Sequence, residues 1–493
     1  MKTASLFRAI HREWRLAFSD SVTLVTFVVV GLLTLLALSA GSLRMSQRIQ
    51  WQQNLASENS LQKEFLESSF MQDEKSEMRE KDLTQTQIDR KYELQYSANS
   101  PDLMRYVSGV WWSVYPAPPL SSLSLGVSEK WPAYYHHEGI SLAETALRPK
   151  RVNPMLMSWG AFDLTLFVGA ILPIAVIVLT YNIVAADIEQ QRWLLVSLHA
   201  KSIGVLILLR AFVRIGSLGA IVITITALYK WIAVTGNGEE AFLIPLLGWS
   251  LWVALYLGFW MSLSLCVNSF QMSSSGCGLA LMACWCVLVI TIPTLLQAKV
   301  NHDYPISPQT DLIAFEDKLR KQTEQGSEKI WASFLQQHPE ITLDPENLQQ
   351  EYLLRDIAID RYVRSEVKLQ LESYYQHFLD RESTLDRSQF FSPLFAWKTA
   401  SDQLAGTSLR QYVDFAQQTT VFHETYLRYF EQYSIAGKEL SAVEVSSIPE
   451  FASSLQPIKQ SVTSLAYSAV SLFVWIAITC GIGWSNFRKP RPQ

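Results

Sequence analysis

The chain has 493 residues, of which 49% are hydrophobic and 17% are charged, and its mean hydropathy is positive. This average combines uncharged windows of about 20 residues with long, densely charged segments, a pattern typical of a polytopic membrane protein with large soluble parts. The formal charge of -4, together with the lack of a basic aromatic stripe, excludes nucleic acid as an expected partner. The five cysteines lie in or beside apolar windows, so the sequence predicts no disulfide framework.

Six uncharged or nearly uncharged windows are long enough to cross a bilayer as helices. The first follows a charged leader and could be a signal peptide, but its length of about 20 residues favours a retained span. The sequence therefore predicts a mainly α-helical membrane protein with six transmembrane helices. The windows are residues 22–40, 164–184, 215–232, 242–266, 276–296 and 465–484.

Basic residues set the expected orientation of the spans. They precede the first span, follow the last and populate the loop between the second and third, which predicts that both termini lie in the cytoplasm. Two long insertions then lie on the opposite side and form a large, mostly helical domain. Residues 44–96 contain few helix breakers and are predicted to form an extended helix or a helical hairpin. The predicted division is leader helix 1–20, first span 21–40, first insertion 41–162, second span 163–185, cytoplasmic loop 186–214, third to fifth spans 215–296, second insertion 297–463, sixth span 464–485 and tail 486–493.

Two cytoplasmic segments carry candidate contact residues. The leader is predicted to be an amphipathic helix on the membrane surface, although its spacing equally fits a basic topogenic leader. The loop 186–214 contains a short helix of mixed charge that could dock in a groove of another protein, because aromatic and Arg side chains are the usual anchors of such contacts. An ordinary interfacial loop is the alternative. The candidates are Arg8, Arg12, Trp14 and Arg15 in the leader, and Asp187, Glu189, Arg192 and Trp193 in the loop.

The spans contain further candidates. Asp163 at the outer edge of the second span and Pro173 within it are candidates for translocation or gating, whereas such a carboxylate is usually solvated or paired and such a proline usually only kinks the helix. In the fifth span, the small residues Gly276, Ala280 and Cys284 recur at intervals of four and would let another helix approach closely. That helix could belong to another chain or to the same chain.

Enzyme signatures fail when they are compared with the sequence. Residues 137–138 and 423–424 begin like a zinc-protease motif but lack its second histidine, and residues 437–438 lack the rest of a phosphate-binding loop. The adjacent histidines 136–137 could bind a metal, but an adjacent pair is more often structural. We therefore expect no catalytic residue, cofactor or metal in this chain, and we expect that it does not hydrolyse ATP by itself.

Short motifs are spread over most of the chain. They are Pro116 to Leu120, Leu123 to Gly126 and Trp131-Pro132; Asn153-Pro154, Gly160, Phe162 to Leu164, Leu172-Pro173, Tyr181-Asn182 and Glu189; and His338 to Glu340, Phe391 to Pro393, Leu404 to Gly406, Arg410 and Phe415. In this order they resemble the ABC-2-type permease family of bacterial ATP-binding cassette transporters, in the branch with large uncharacterised periplasmic insertions. Each motif alone is weakly specific, and their combination carries the resemblance.

The resemblance implies a permease in the bacterial inner membrane with a large periplasmic domain. It implies that the leader lies along the inner face of the membrane, that the loop after the second span is a coupling helix contacting the ATPase, and that the first and fifth spans contact a second permease. Two cytoplasmic ATPase subunits would bind ATP and Mg. The second permease would be identical or paralogous, membrane lipid would surround the spans, and a periplasmic or outer-membrane protein is a further candidate partner.

The coupling loop departs from the family pattern. The family shows Glu-Arg-Glu, any residue, then Gly and Thr, where this chain has the segment from Asp187 to Trp193. Only Glu189 clearly persists and the glycine is replaced. A specialised ATPase, a heterodimer of unequal permeases or simple drift would each account for the difference.

The expected function is therefore that of a permease subunit, which converts ATP hydrolysis by a separate subunit into substrate movement; export is the commoner direction in the family. An alternative keeps the ATPase and drops transport, so that the periplasmic helices transmit force to a periplasmic or outer-membrane partner. The long polar stretch 44–96 motivates this alternative. An intramembrane hydrolase is disfavoured by the missing motifs.

Overall fold

The structure is a computed structural model that describes residues 3–70, 83–107, 111–128, 130–137, 139–147, 162–199, 202–235, 243–305, 308–343, 346–453 and 462–488. Among these residues, six helical segments are long and apolar enough to cross a membrane. Each predicted window falls inside one of them, apart from Phe242, which lies outside the described residues. The prediction of a mainly helical chain with six helices that could span a membrane is confirmed. The segments are span 1 (Ser21–Ser68), span 2 (Leu164–Glu189), span 3 (Ile203–Ala233), span 4 (Leu243–Asn268), span 5 (Ser274–Asp303) and span 6 (Val462–Phe487).

The remaining described elements form the leader, one helix of the loop after span 2, and a domain beyond the far ends of the spans. They are α1 (Thr3–Ser19), α2 (Gln85–Ser97), α3 (Pro101–Val107), β1 (Trp112–Val114), β2 (Tyr134–His136), α4 (Leu142–Ala146), α5 (Trp193–His199), α6 (Gln309–Gln325), α7 (Glu328–Gln337), α8 (Leu348–Arg387), a 3-10 turn (Ser388–Phe390), α9 (Pro393–Leu404), α10 (Leu409–Ile435) and α11 (Ala442–Ser446). We call the elements from α2 to α4 and from α6 to α11 the helical domain. The side of the spans that carries α1 is called the leader side.

Spans 2 and 4 form the centre of the membrane-spanning part. In each, 61% of the most apolar window is buried inside the chain, against 17% for span 5 and 22% for span 6. Large aromatic residues of span 4, including Trp249, Tyr256 and Trp260, are almost completely buried there. Spans 5 and 6 therefore expose most of their apolar surface to whatever surrounds the chain, as lipid-facing or partner-facing helices do.

The helix of span 1 continues beyond its apolar part into the helical domain. Its 48 residues correspond to roughly 70 Å of α-helix. The far end of this helix packs against α2 through Phe65, Leu66 and Leu94, so the described parts of the predicted polar stretch form a helical hairpin. The first insertion also contains an antiparallel pair of three-residue strands, β1 and β2, which the sequence analysis did not predict.

Buried ion pairs join the helices of the domain. Asp360 on α8 is fully buried and binds Arg105 of α3 at 2.5 Å and Arg320 of α6 at 2.6 Å. A second pair of arginines on α8, Arg361 and Arg364, binds Glu431 of α10. Each carboxylate therefore has two cationic partners, as a buried charge requires.

Part of the second insertion returns into the spans as a helical hairpin. The C-terminal end of α8, the 3-10 turn and α9 form two arms whose tip lies among spans 2, 5 and 6; we call them the re-entrant hairpin. At the tip, Ser392 donates a hydrogen bond to the carbonyl of Leu288, which lies at the middle of span 5. On the second arm, Trp397 contacts Gly169 of span 2, and its indole N–H donates to the carbonyl of Thr165 at 2.9 Å. Irregular backbone at this depth is tolerated because protein covers it.

Spans 2 and 5 each contain a π-helical turn followed by a proline, at Phe167–Ile171 before Pro173 and at Cys286–Thr291 before Pro293. Proline has no N–H to donate to the carbonyl one turn earlier. In span 2 that carbonyl belongs to Gly169, and the Tyr256 hydroxyl of span 4 donates to it at 2.6 Å. Span 2 therefore departs from regular α-helical geometry at this point, and the Gly169 carbonyl still accepts a hydrogen bond.

Candidate functional site

The loop after span 2 here means the short helix Ala185–Glu189 at the end of span 2 together with the turn and helix α5 that follow it. This loop is held to the leader helix and to span 3 through one arginine, Arg210. Arg210 of span 3 donates to Asp187 Oδ2 at 2.6 Å and lies 3.6 Å from Glu13 of α1. Its side chain is about one-fifth exposed, so the two ion pairs are only partly screened by water. Arg214, one turn later, donates to the carbonyl of Leu179 at 2.7 Å. A displacement of the loop therefore acts directly on the leader and on span 3.

The same loop is bound to span 5 through Glu189. One carboxylate oxygen accepts from the backbone N–H of Ser274 at 2.7 Å, and the other accepts from the Ser274 hydroxyl at 2.9 Å. Ser274 is the first residue of the span 5 helix, where unsatisfied N–H groups and the helix dipole favour a negative charge. Glu189 thus acts as a cap supplied by another element.

Gln191 and Arg192 form a turn just after the short helix Ala185–Glu189. Gln191 has a φ of 55°, in the left-handed region that favours glycine, and the backbone N–H of Arg192 returns to the Asp187 carbonyl at 2.8 Å. The side chains of both residues are exposed. Of the predicted contact residues in this loop, Glu189 and Arg192 are exposed, and the Glu189 carboxylate is bonded to Ser274.

Trp193, another of the predicted contact residues, is half-buried. Its ring packs against a buried cluster that includes Ile183, Val184, Ile207 and Ala211, from spans 2 and 3. The exposed apolar residues of the loop are instead Leu195 and Leu198, which are 59% and 73% exposed. Trp193 therefore packs the loop against its own chain, and these two leucines are its exposed apolar side chains.

The leader is helical over Thr3–Ser19, and its described side chains are largely exposed. Arg12 and Arg15 are exposed, and Trp14 is 46% exposed while its ring lies 4.4 Å from that of Phe18. The side chain of Arg8 lies outside the described residues. These positions are compatible with a helix on the membrane surface, which stays a prediction.

Asp163 and Pro173 both serve the local structure of span 2. Asp163 is 5% exposed and caps the span, accepting from the N–H groups of Leu166 and Leu125 at 2.8 Å each. Burial raises the pKa of Asp163 to about 6, although the two hydrogen bonds act in the opposite direction. Both predicted gating residues are thus enclosed by protein, and a role in translocation stays a prediction.

The small-residue face of span 5 is partly covered by its own chain. Gly276, Ala280 and Cys284 are half-buried, and the last two pack against the core of the spans. Apolar side chains beside this face are exposed: Leu279 by 75% and Leu295 by 63%. One surface of span 5 therefore packs within the chain, while the neighbouring surface is exposed and could contact another chain.

The two buried histidines form a hydrogen-bonded pair. His137 Nε2 lies 2.6 Å from the Ser113 hydroxyl, and its Nδ1 lies 3.3 Å from Nδ1 of His423. Burial lowers the pKa of His137 well below its usual range and that of His423 to about 3, so both rings are neutral. No group of three metal-ligating side chains occurs within the described residues.

Comparison with known proteins adds one result. Residues 309–453 match the family DUF3526, which is described as a domain of unknown function. The match begins with α6 and includes α11, so it covers most of the insertion between spans 5 and 6 and contains the whole re-entrant hairpin. No curated protein and no solved structure matches the chain.

Three sets of contacts were missed by the sequence analysis: those of Arg210, of Ser274 and of the span 6 residues that hold the re-entrant hairpin. Ser274 stands at the start of a helix, which is a recognisable position, but its partner is 85 residues away. The span 6 contacts carry a clear signal, because their donors recur at intervals of four, three and four residues on one helical face. They are Ser464, Ser468, Ser471 and Trp475, which donate to Asp386, to the side chain and backbone carbonyl of Gln389, and to the Phe390 carbonyl.

Proposed function

We propose that the chain is the membrane permease of an ABC-2-type ATP-binding cassette transporter, in which a separate ATPase subunit hydrolyses ATP. Two such permeases and two ATPases form the assembly, in the inner membrane of a bacterium. Both termini are cytoplasmic, the leader side faces the cytoplasm, and the helical domain lies in the periplasm. Substrate moves outward.

One observation supports this proposal above the others: the loop after span 2 is bound to the leader, to span 3 and to span 5 at once. Asp187 reaches the leader and span 3 through Arg210, and Glu189 caps span 5. A protein that pushes on this loop therefore moves three elements. This is the mechanical property that coupling to an ATPase requires, because transport depends on rigid-body movement of packed helices.

The backbone of the loop gives further support. In the family pattern, a glycine follows the second glutamate by two positions, and counting from Glu189 puts Gln191 there. Gln191 has the positive φ that a glycine would adopt without cost. The side chain departs from the pattern while the backbone conformation fits it. A second permease would contact spans 1 and 5, and the low burial of span 5 leaves surface for it.

The proposal is tested by uncoupling the loop. Chain carrying both Glu189→Ala and Trp193→Ala should insert normally, but its ATPase partner should lose the change in ATP turnover that the unmodified permease causes. Gln190→Ala, on the exposed neighbour of Glu189, is the control and should leave this change intact. Unaltered coupling in the double variant would refute the assignment of the loop.

A second candidate function is force transmission to a periplasmic or outer-membrane partner without conduction of substrate. It is favoured by the continuity of span 1, which runs as one helix from the leader side into the helical domain. Movement of its leader-side end is therefore transferred directly to the domain. Transport of a substrate by the reconstituted assembly would exclude this alternative.

A further inference from the structure

The first arm of the re-entrant hairpin carries two carboxylates one helical turn apart, Glu382 and Asp386. Asp386 Oδ2 accepts from the hydroxyl of Ser464, 3.3 Å away in the first turn of span 6. Glu382 lies one turn farther from the spans. Both carboxylates are therefore at the boundary between the helical domain and the membrane-spanning part, outside the span residues themselves.

Asp386 belongs to a continuous hydrogen-bond network. Its Oδ1 accepts from Gln389 Nε2 at 3.1 Å, and the Gln389 carbonyl oxygen Oε1 accepts from the Ser468 hydroxyl at 2.5 Å. Gln389 is fully buried, and its backbone carbonyl accepts from Ser471 at 2.7 Å. The network fixes the position of the hairpin on span 6 and depends on a correctly placed first arm.

Glu382 lacks such partners. Its Oε2 is completely buried, and no hydrogen-bond donor reaches it among the described residues. A buried carboxylate oxygen without a donor favours the neutral acid. The charged groups around it are Asp386 on its own helix, Asp402 and Lys398 on α9, and Arg410 on α10. Lys398 is already paired with Asp402. Burial, reinforced by the charge of Asp386, raises the pKa of Glu382 to about 7.

We propose that Glu382 is a reversible proton-binding site that controls the contact between the re-entrant hairpin and span 6. The neutral acid maintains the packed arrangement. When the O–H bond breaks, the proton passes to water, the electron pair stays on the carboxylate, and the buried charge next to Asp386 drives the first arm away from span 6.

The direction of the pH dependence follows from the pKa. In the packed arrangement Glu382 holds its proton more tightly than in an exposed arrangement, where the ordinary value of 4.5 applies. The packed arrangement is therefore most stable below this value, loses stability as the pH rises towards about 7, and changes no further above it. This inference does not depend on the transporter function, because it concerns the chain alone.

Infrared spectroscopy of the full chain in lipid nanodiscs tests proton binding directly. We expect a carbonyl band of a neutral carboxylic acid that disappears with a midpoint near pH 7, and we expect Glu382→Gln to remove this band. Glu372→Gln, on the exposed surface of the same helix, should retain it. A spectrum that is the same in Glu382→Gln, or a band that titrates at the ordinary value for glutamate, would overturn the proposal.

Alkylation of a buried cysteine tests the movement. Ser392→Cys is introduced with the five native cysteines changed to serine, and labelling is divided by that of Leu369→Cys, whose site is 59% exposed. Between about pH 6 and about pH 8 the ionised fraction of a group with a pKa of about 7 rises about tenfold. We expect the normalised labelling of Ser392→Cys to rise by up to that factor between these two pH values. When Glu382→Gln is added to the same chain, we expect the labelling to stay constant with pH. Equal pH dependence in both would overturn the link between the proton and the hairpin.

Discussion

Gln191 has a backbone conformation in which any side chain carries a steric cost. Its φ of 55° lies in the left-handed region, which costs a non-glycine residue about 1 to 2 kcal/mol. The turn nevertheless forms, because the backbone N–H of Arg192 donates a hydrogen bond to the Asp187 carbonyl. The chain therefore keeps the geometry of this turn at the expense of local stability, and the cost can be measured.

Replacing Gln191 by Gly should stabilise the protein by about 1 kcal/mol, because glycine adopts positive φ without the Cβ clash. The measurement is the midpoint of thermal unfolding in detergent. Gln190→Gly is the matched control: Gln190 has a φ of -90°, so glycine there relieves no strain and should lower the midpoint. Equal shifts of the midpoint in both variants would contradict the backbone strain that we infer at Gln191.

Tyr256 satisfies a backbone carbonyl that Pro173 leaves without a donor. Tyr256→Phe removes only the hydroxyl and leaves the Gly169 carbonyl buried and unpaired, which should cost about 1 to 3 kcal/mol. The apparent free energy of unfolding, from titration with SDS, measures this loss. Tyr467→Phe, at a position 55% exposed, should change it by less than about 0.5 kcal/mol. A loss no larger than that of the control would contradict this role.

At the scale of elements, the re-entrant hairpin is attached to span 6 by a row of polar contacts rather than by apolar packing alone. Gln389 lies at the centre of this row and bonds in both directions, to Asp386 and to Ser468. Since the residue is completely buried, removal of its side chain leaves unpaired polar groups as well as a cavity. The stability of the hairpin should therefore depend strongly on this one side chain.

Gln389→Ala should lower the free energy of unfolding by about 2 to 3 kcal/mol and should expose the buried tip of the hairpin. The second effect is measured as faster alkylation of Ser392→Cys. Gln376→Ala, at an exposed position of α8, serves as control and should have little effect on either quantity. Alkylation that is unchanged in Gln389→Ala would mean that the polar row does not hold the hairpin.

The sequence predicted the spans better than it predicted the hairpin, for a physical reason. A span requires about 20 consecutive apolar residues, which the six windows display directly. The second arm of the hairpin has 12 residues and includes Lys398 and Asp402, so no hydropathy pattern distinguishes it from a domain helix. Its position follows from contacts with spans 2, 4, 5 and 6, and such tertiary contacts leave no signal in the hairpin itself.

The candidate site was predicted as a set of residues but not as a set of contacts. Asp187 and Glu189 were identified from charge and from the resemblance, whereas their partners Arg210 and Ser274 lie on other spans and have no local motif. Trp193 was predicted to contact a partner; it is half-buried against its own chain, and the contact stays a prediction. Side-chain type indicates what a residue can bind, while burial decides whether it faces a partner.

At the scale of the whole molecule, the account predicts opposite sides of the membrane for the loop and for the helical domain. Arg192→Cys and Leu369→Cys are both exposed positions, each in a chain whose native cysteines are changed to serine. In intact cells whose outer membrane has been permeabilised, an impermeant maleimide should label Leu369→Cys, and should label Arg192→Cys only after the inner membrane is broken. Labelling in the reverse order would contradict the orientation.

The low burial of spans 5 and 6 indicates that the chain exposes a large apolar surface within the membrane. Lipid covers such a surface in a single chain, and a second permease would cover part of it in the proposed assembly. The loop contacts explain how an ATPase could move this assembly, and Leu195 and Leu198 offer exposed apolar surface for its binding. The second permease and the ATPase are both proposed to bind this chain, so the decisive measurement identifies the proteins that bind to it.

That measurement is purification of the chain from its native membrane in a mild detergent, followed by mass spectrometry and an ATPase assay of the purified fraction. The account predicts that a cassette ATPase accompanies the chain with vanadate-sensitive turnover, and a permease found alongside it would distinguish a heterodimer from a homodimer. Recovery of the chain without any ATPase, across several detergents and with ATP present, would contradict the proposed function.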